Sequence, residues 1–211
     1  MANKDESIRE LVLKLWRGAE YERVAQLKGA VLTSCRDDDE VVCALSLALS
    51  MPDIGESDDA IRILKDALSD RGRSHTLLKA LVECCLLAGD YAQGFEAAKG
   101  AIELYPRDSH LHSLLGTIIA TGTGVAATLE DAAEAFERAI GLDPNNCELY
   151  RSLGVTRWKG NHLNAAKEAL EACLERIPHE EQQSREKLRQ WLIAISQGKS
   201  YWEANIVDPA Q

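Results

Sequence analysis

The feature that most constrains this chain is a repeat that runs through nearly all of its 211 residues. Leu11, Leu47, Leu81, Leu115 and Leu153 lie 36, 34, 34 and 38 residues apart. The residue after each leucine is small: Val12, Ala48, Val82, Gly116 and Gly154. Val24, Ala60, Gly94, Ala132 and Ala166 form a third series, and Val31, Ala67, Ala101, Ala139 and Cys173 a fourth, both at spacings of 36, 34, 38 and 34. Pro106, Pro144 and Pro178 close the last units at separations of 38 and 34. Registered series of this kind mark one supersecondary unit copied along the chain. The unit reads as two antiparallel helices. Small residues on the second helix let it approach the first helix of the same and the next unit, and the large leucine fills the gap between them. A proline after the second helix cannot continue it, so the chain turns into the next unit.

Composition agrees with an all-α chain. Hydrophobic residues make up 45%, mostly Ala and Leu, while aromatic residues contribute only 5%, a balance that favours helix over sheet. The periodicity predicts first helices near 5–17, 39–51, 75–88, 109–121 and 147–159, and second helices near 20–33, 57–70, 91–104, 129–142 and 163–176. Start signals agree: Glu56-Ser57-Asp58-Asp59 and Thr128-Leu129-Glu130-Asp131 place caps and acids in first turns. A final helix near 180–197 carries Leu188, Trp191, Leu192 and Ile195 on one face, as a cap over the last unit requires. The tail 199–211 holds Tyr201, Trp202, Ile206 and Val207. It is expected to be loosely held, with docking onto a groove, its own or a neighbour's, as the alternative.

The best-formed unit runs Leu149-Tyr150-Arg151-Ser152-Leu153-Gly154, then Ala166, Leu170 and Cys173, and closes at Pro178. The one before it has Leu115-Gly116, Ala132, Phe136, Ala139 and Pro144. This pattern resembles the tetratricopeptide repeat over roughly residues 5–178. Three departures stand out. Lys28 occupies a position where the family usually has an aromatic residue, the join near Ser34–Asp39 is two residues longer, and the inner turn Gly122-Thr123-Gly124-Val125-Ala126-Ala127 carries four extra residues. That turn, with Asp131-Ala132-Ala133 after it, is similar to the Sel1-like repeat. The resemblance implies a right-handed α-solenoid of about five helix–turn–helix units, near 5–38, 39–74, 75–108, 109–146 and 147–180. With the capping helix near 180–197, they make one repeat domain over 1–198.

The resemblance also implies a function. Such solenoids bind protein segments on a concave surface lined by first helices. Carried onto this chain, the partner-binding positions include Arg9, Trp16, Arg17, Leu45, Leu49, Lys79, Glu83, His110, Ser113, Arg151, Val155, Trp158 and Lys159. The full transferred set adds Glu6, Leu13, Val42 and Asp53 among others, and holds five basic and four acidic residues within a chain of net charge −10. A near-neutral groove with apolar patches and isolated cations suits a peptide with apolar anchors and an acid group; solvated helix faces are the plain alternative. The matching positions lack the asparagine of the subtype that grips a terminal carboxylate, so that mode of binding is not expected.

Other functions find little support. An acidic chain is a poor partner for nucleic acid or an anionic membrane surface, and no apolar run is long enough to span a bilayer. Cys35, Cys43, Cys84, Cys85, Cys147 and Cys173 form no C-x-x-C pair and read as core thiols of a reducing compartment, with the cytoplasm as the expected location. His75, His110, His112, His162 and His179 have no metal-ligand spacing. Gly122-Thr123-Gly124 follows no strand and lacks the lysine of a phosphate loop. No catalytic, cofactor or metal residue is therefore assigned. The expected role is an adaptor, scaffold or cytosolic chaperone that binds a peptide or protein. The alternatives are a self-associating structural protein or a non-catalytic subunit of an enzyme complex.

Overall fold

The computed structural model describes residues 4–204, with side chains from residue 8 onward. The described residues form thirteen helices and no strand. The chain divides into two compact units, Met1–Pro106 and Arg107–Gln211.

The first unit contains α1 (Lys4–Arg17), α2 (Tyr21–Gln26), α3 (Lys28–Ser34), α4 (Asp39–Leu49), α5 (Ser57–Arg71), α6 (His75–Ala88) and α7 (Tyr91–Leu104). Its centre is α4, which packs against α1, α2, α3, α5 and α6. With neighbours on so many sides, α4 is buried around almost its whole circumference, and Val42, Leu45 and Leu49 are core residues. Asp38 caps this helix by accepting from the Val41 amide at 3.1 Å. The same carboxylate accepts from Arg9 Nε at 2.7 Å, and Glu40 accepts from the other end of that guanidinium at 2.6 Å. On the opposite side Asp39 accepts from Arg71 at 2.6 Å and from the Ser74 hydroxyl. The acids that favour the start of α4 thereby also fasten it to α1 and α5.

One expected helix, near 20–33, is broken into α2 and α3 at Leu27. The break adjoins Lys28, at the register position that Phe136 and Leu170 hold in the last units. A buried ammonium without a partner would be costly. The chain here turns so that Lys28 Nζ reaches Glu56 at 2.8 Å and also Asp59. Hydrogen bonds from Arg62 and from Lys28 hold the Asp59 carboxyl down at about 2. Leu11 is a second departure: it is exposed, because no described helix packs on the outer side of α1, whereas Leu81 is buried.

The second unit contains α8 (Ser109–Thr121), α9 (Leu129–Leu142), α10 (Cys147–Lys159), α11 (Leu163–Arg176), α12 (Gln182–Ser196) and α13 (Tyr201–Ala204). α8 pairs with α9, α9 with α10, α10 with α11, and α11 with α12. The long turn before α9 ends in a capping box, Thr128 with Asp131. Two glycines set how closely these hairpins close. A methyl group on Gly154 would lie 2.7 Å from Leu170 Cγ, and one on Gly116 would lie 2.9 Å from the Phe136 ring. The small residues of the first helices thus receive the large residues of the second. α12 caps the unit, with Leu188 and Ile195 buried against Trp158, Leu170, Cys173 and Ile177.

The tail departs from expectation. Residues 201–204 form α13 and pack on α10, because Tyr201 finds an aromatic floor there. Ile206 and Val207 lie outside the described residues.

Gly154→Ala is expected to cost about 1–3 kcal/mol by overpacking, although alanine is the better helix former. Gly141→Ala, where nothing lies within 4 Å, is expected to gain about 0.5–1 kcal/mol from helix propensity alone. Urea unfolding of the two variants checks this. Equal shifts of the same sign would contradict the size-matching argument.

Candidate functional site

Arg151, Val155 and Lys159 stand four residues apart on α10, which puts them on one face of that helix. Leu149, Gly154 and Trp158 of the same helix are buried, and the contact of Gly154 with Leu170 fixes the helix about its axis. The open face looks onto a recess of about 290 Å³. Thr117, Ala120 and Thr121 of α8 form one wall, and Lys187 and Trp191 of α12 and Tyr201 of α13 form the other. A second recess of about 330 Å³ adjoins it, sharing Arg151, Lys187 and Trp191 and reaching Glu148, Ile177 and Leu188.

Behind the wall formed by Trp191 and Tyr201 lies Trp158, which is only 1% exposed. Its indole Nε1 donates to the Lys199 carbonyl at 2.9 Å. Tyr201 stands edge-on to it at 5.4 Å, and Trp191 lies 6.2 Å away. Trp158 is therefore not the surface anchor expected from its repeat position. The tail and the capping helix cover it, so its apolar area and its N–H are both satisfied internally.

The cations of the recess are held unusually. Lys159 Nζ donates to the Ala120 carbonyl at 3.2 Å and sits 5.4 Å over the Tyr201 ring. Lys187 Nζ sits 5.1 Å over the Trp191 ring. Neither makes an ion pair among the described residues. Burial lowers the Lys159 pKa from its ordinary value, since desolvation penalises the charged form. Arg151 bonds Glu148 through Nε at 2.8 Å.

The other expected partner-binding residues do not gather at this recess. Leu45 and Leu49 are fully buried in the first unit and are corrected to core, as is Leu13. Arg9 is bound to Asp38 and Glu40, which raise its pKa further. Trp16 is half-buried with its ring 5.2 Å from Tyr21, and Arg17 is exposed. Lys79 and Glu83 are half-buried on α6. The side chain of Glu6 lies outside the description. On α8, His110 is exposed and the Ser113 carbonyl accepts from Thr117 at 2.9 Å. Lys187, Trp191 and Tyr201 were not among the residues expected to bind. The signal for them was available in the four-residue spacing of Lys187 and Trp191, which places the ammonium over the indole.

Among the described residues no group of three or more His, Cys, Asp or Glu could hold a metal ion. Burial pushes the thiols of Cys43, Cys84 and Cys173 up to about 12 and that of Cys85 up to about 11. Thiols held protonated in this way serve packing, not nucleophilic chemistry. His112 is buried in α8. No helix among the described residues is long and apolar enough to cross a membrane.

No protein-family model and no curated protein sequence matches the chain. Solved structures do match. TTC0263, a thermophilic TPR protein in Thermus thermophilus, aligns over 92% of this chain and 99% of its own, with 17% identity and a TM-score of 0.70. This chain has the tetratricopeptide-repeat fold. The MamA 41-end structure from Desulfovibrio magneticus RS-1 aligns over 83% of this chain and 96% of its own, with 19% identity and a TM-score of 0.66. Within the tetratricopeptide-repeat fold seen here, α8 and α10 are first helices, and the recess lies along their shared face.

Trp158→Phe keeps a ring against Tyr201 but removes the bond to the Lys199 carbonyl. Loss of one buried hydrogen bond, about 1 kcal/mol, should speed hydrogen exchange at the 200–204 amides several-fold while helicity is unchanged. Unaltered exchange there would show that the indole N–H does not hold the tail.

Proposed function

We propose that this chain is a protein–protein interaction module, serving as an adaptor, scaffold or cytosolic chaperone rather than as an enzyme. Its binding site is the first-helix face of the second unit. The observation that carries the reading is the recess along α10, where cations and aromatic rings line one cavity. Such a surface offers shape, apolar area and charge to a peptide but places no nucleophile beside a base. The tetratricopeptide-repeat fold supports the same reading, and the buried thiols suit a reducing cytoplasm.

Affinity capture from the native host, followed by mass spectrometry, tests it. Wild type is expected to recover a stoichiometric partner that Arg151→Glu, Lys159→Glu loses, with both proteins equally helical. Recovery of the same partner by both would move the binding surface off the α10 face.

Self-association is the second reading. The apolar residues of α4 do not support it, because they are interior. Trp202 does: it is 65% exposed on α13 beside Tyr201, and an exposed tryptophan is a strong interface anchor. If copies associate through it, light scattering should show a concentration-dependent mass that Trp202→Ser abolishes. A monomer at all concentrations would end this reading.

A further inference from the structure

The chemistry of the α10 recess narrows what it binds. Its lining carries Arg151, Lys159 and Lys187 against a single carboxylate, Glu148, which is already bonded to Arg151. This local excess of positive charge occurs in a chain whose net charge is −10. Many of the other basic side chains are bound to acids: Arg9, Lys28, Arg71 and Arg157 each join one helix to a carboxylate elsewhere. Lys159 and Lys187 instead rest on the Tyr201 and Trp191 rings. A ring face holds an ammonium in place without occupying its hydrogen-bond donors. Both lysines are thus positioned, and Lys159 is partly desolvated as well, with donors left for an incoming anion. The recess continues into the adjoining one past Arg151 and Lys187, which gives it the elongated form of a peptide site, not that of a point site for one small anion.

We infer that this recess binds an acidic segment of a partner protein, whose carboxylates meet Lys159, Lys187 and Arg151 along α10 and α12. This inference rests on the reading of the same face as the interaction surface. Charge complementarity selects the occupant. The −10 net charge of the whole chain repels acidic peptides in general, so binding of one would report the local site. An arriving carboxylate would also offset the burial that lowers the Lys159 pKa.

The test uses fluorescein-labelled hexaglutamate and fluorescence anisotropy on the full chain. Saturable one-to-one binding is expected, weakened about tenfold by Lys187→Glu, an exposed substitution on α12 that leaves the core intact. Lys159→Gln should weaken it as well, and both effects should shrink as salt is raised. Absence of saturable binding, or equal affinity in wild type and both variants, overturns the inference. Full displacement by inorganic phosphate at constant ionic strength would show an anion site and not a peptide site, and competition by unlabelled chain would make a second copy the occupant; either result also overturns it. If hexaglutamate fails while the captured partner is still lost on Arg151→Glu, Lys159→Glu, only the acidic chemistry falls and the interaction surface stands.

Discussion

At Gly154 the backbone of α10 stands so close to Leu170 that no side chain fits between them. The rest of the second unit depends on this contact. It sets the separation of α10 and α11, and it fixes which way α10 is turned. With Gly154 held against Leu170, the four-residue spacing of Arg151, Val155 and Lys159 brings all three to the recess together. The same device recurs at Gly116, where the Phe136 ring fills the space that a side chain would take. In the first unit the corresponding positions carry Ala48 with Leu64 and Val82 with Ala98, so bulk is shared differently at each level of the repeat. Only the first pair, Val12 with Lys28, offers no apolar match, and there the second helix breaks.

Charge follows packing. In the first unit, cations join neighbouring helices: Arg9 ties α1 to α4, Lys28 ties α3 to α5, and Arg71 ties α5 to α4. Pairs at or near the surface contribute about 1 kcal/mol or less each. Their effect here is on register, because each acid also lies in the first turn of the helix it anchors or just before it. In the second unit Arg157 does the same work against Glu130 and Glu137, while Lys159 and Lys187 are left on rings. The difference between a fastened cation and an available one is thus a difference in neighbours, carboxylate or aromatic.

Much of the fold could be read from the repeat. The leucine and small-residue series placed the helices, and the expected ends of α6, α7, α8, α9, α10 and α11 agree with those observed. Where the reading failed, a local contact outweighed the period. Lys28 needed partners and broke a helix. Val42, Leu45 and Leu49 stand at positions that would be open in an even stack, but α4 has too many neighbours for any face to remain free. The site was less legible. Arg151, Val155 and Lys159 follow from spacing along one helix, so the repeat places them on one face. Lys187, Trp191 and Tyr201 come from the cap and the tail, which lie outside the repeat, and no period predicts where they return.

The tail is where fold and site meet. Tyr201 covers Trp158 from one side and contacts Lys159 from the other, so order in the tail and the environment of the recess are one property. Withdrawal of Tyr201 would expose the indole and return water to Lys159. Contacts to a charged group are stronger where water is excluded. A carboxylate reaching Lys159 therefore gains most when the tail is docked, and by linkage its binding favours the docked tail. The short helix α13 is held through Tyr201 against Trp158 and Lys159, and the Trp158 bond to the Lys199 carbonyl anchors the chain just before it.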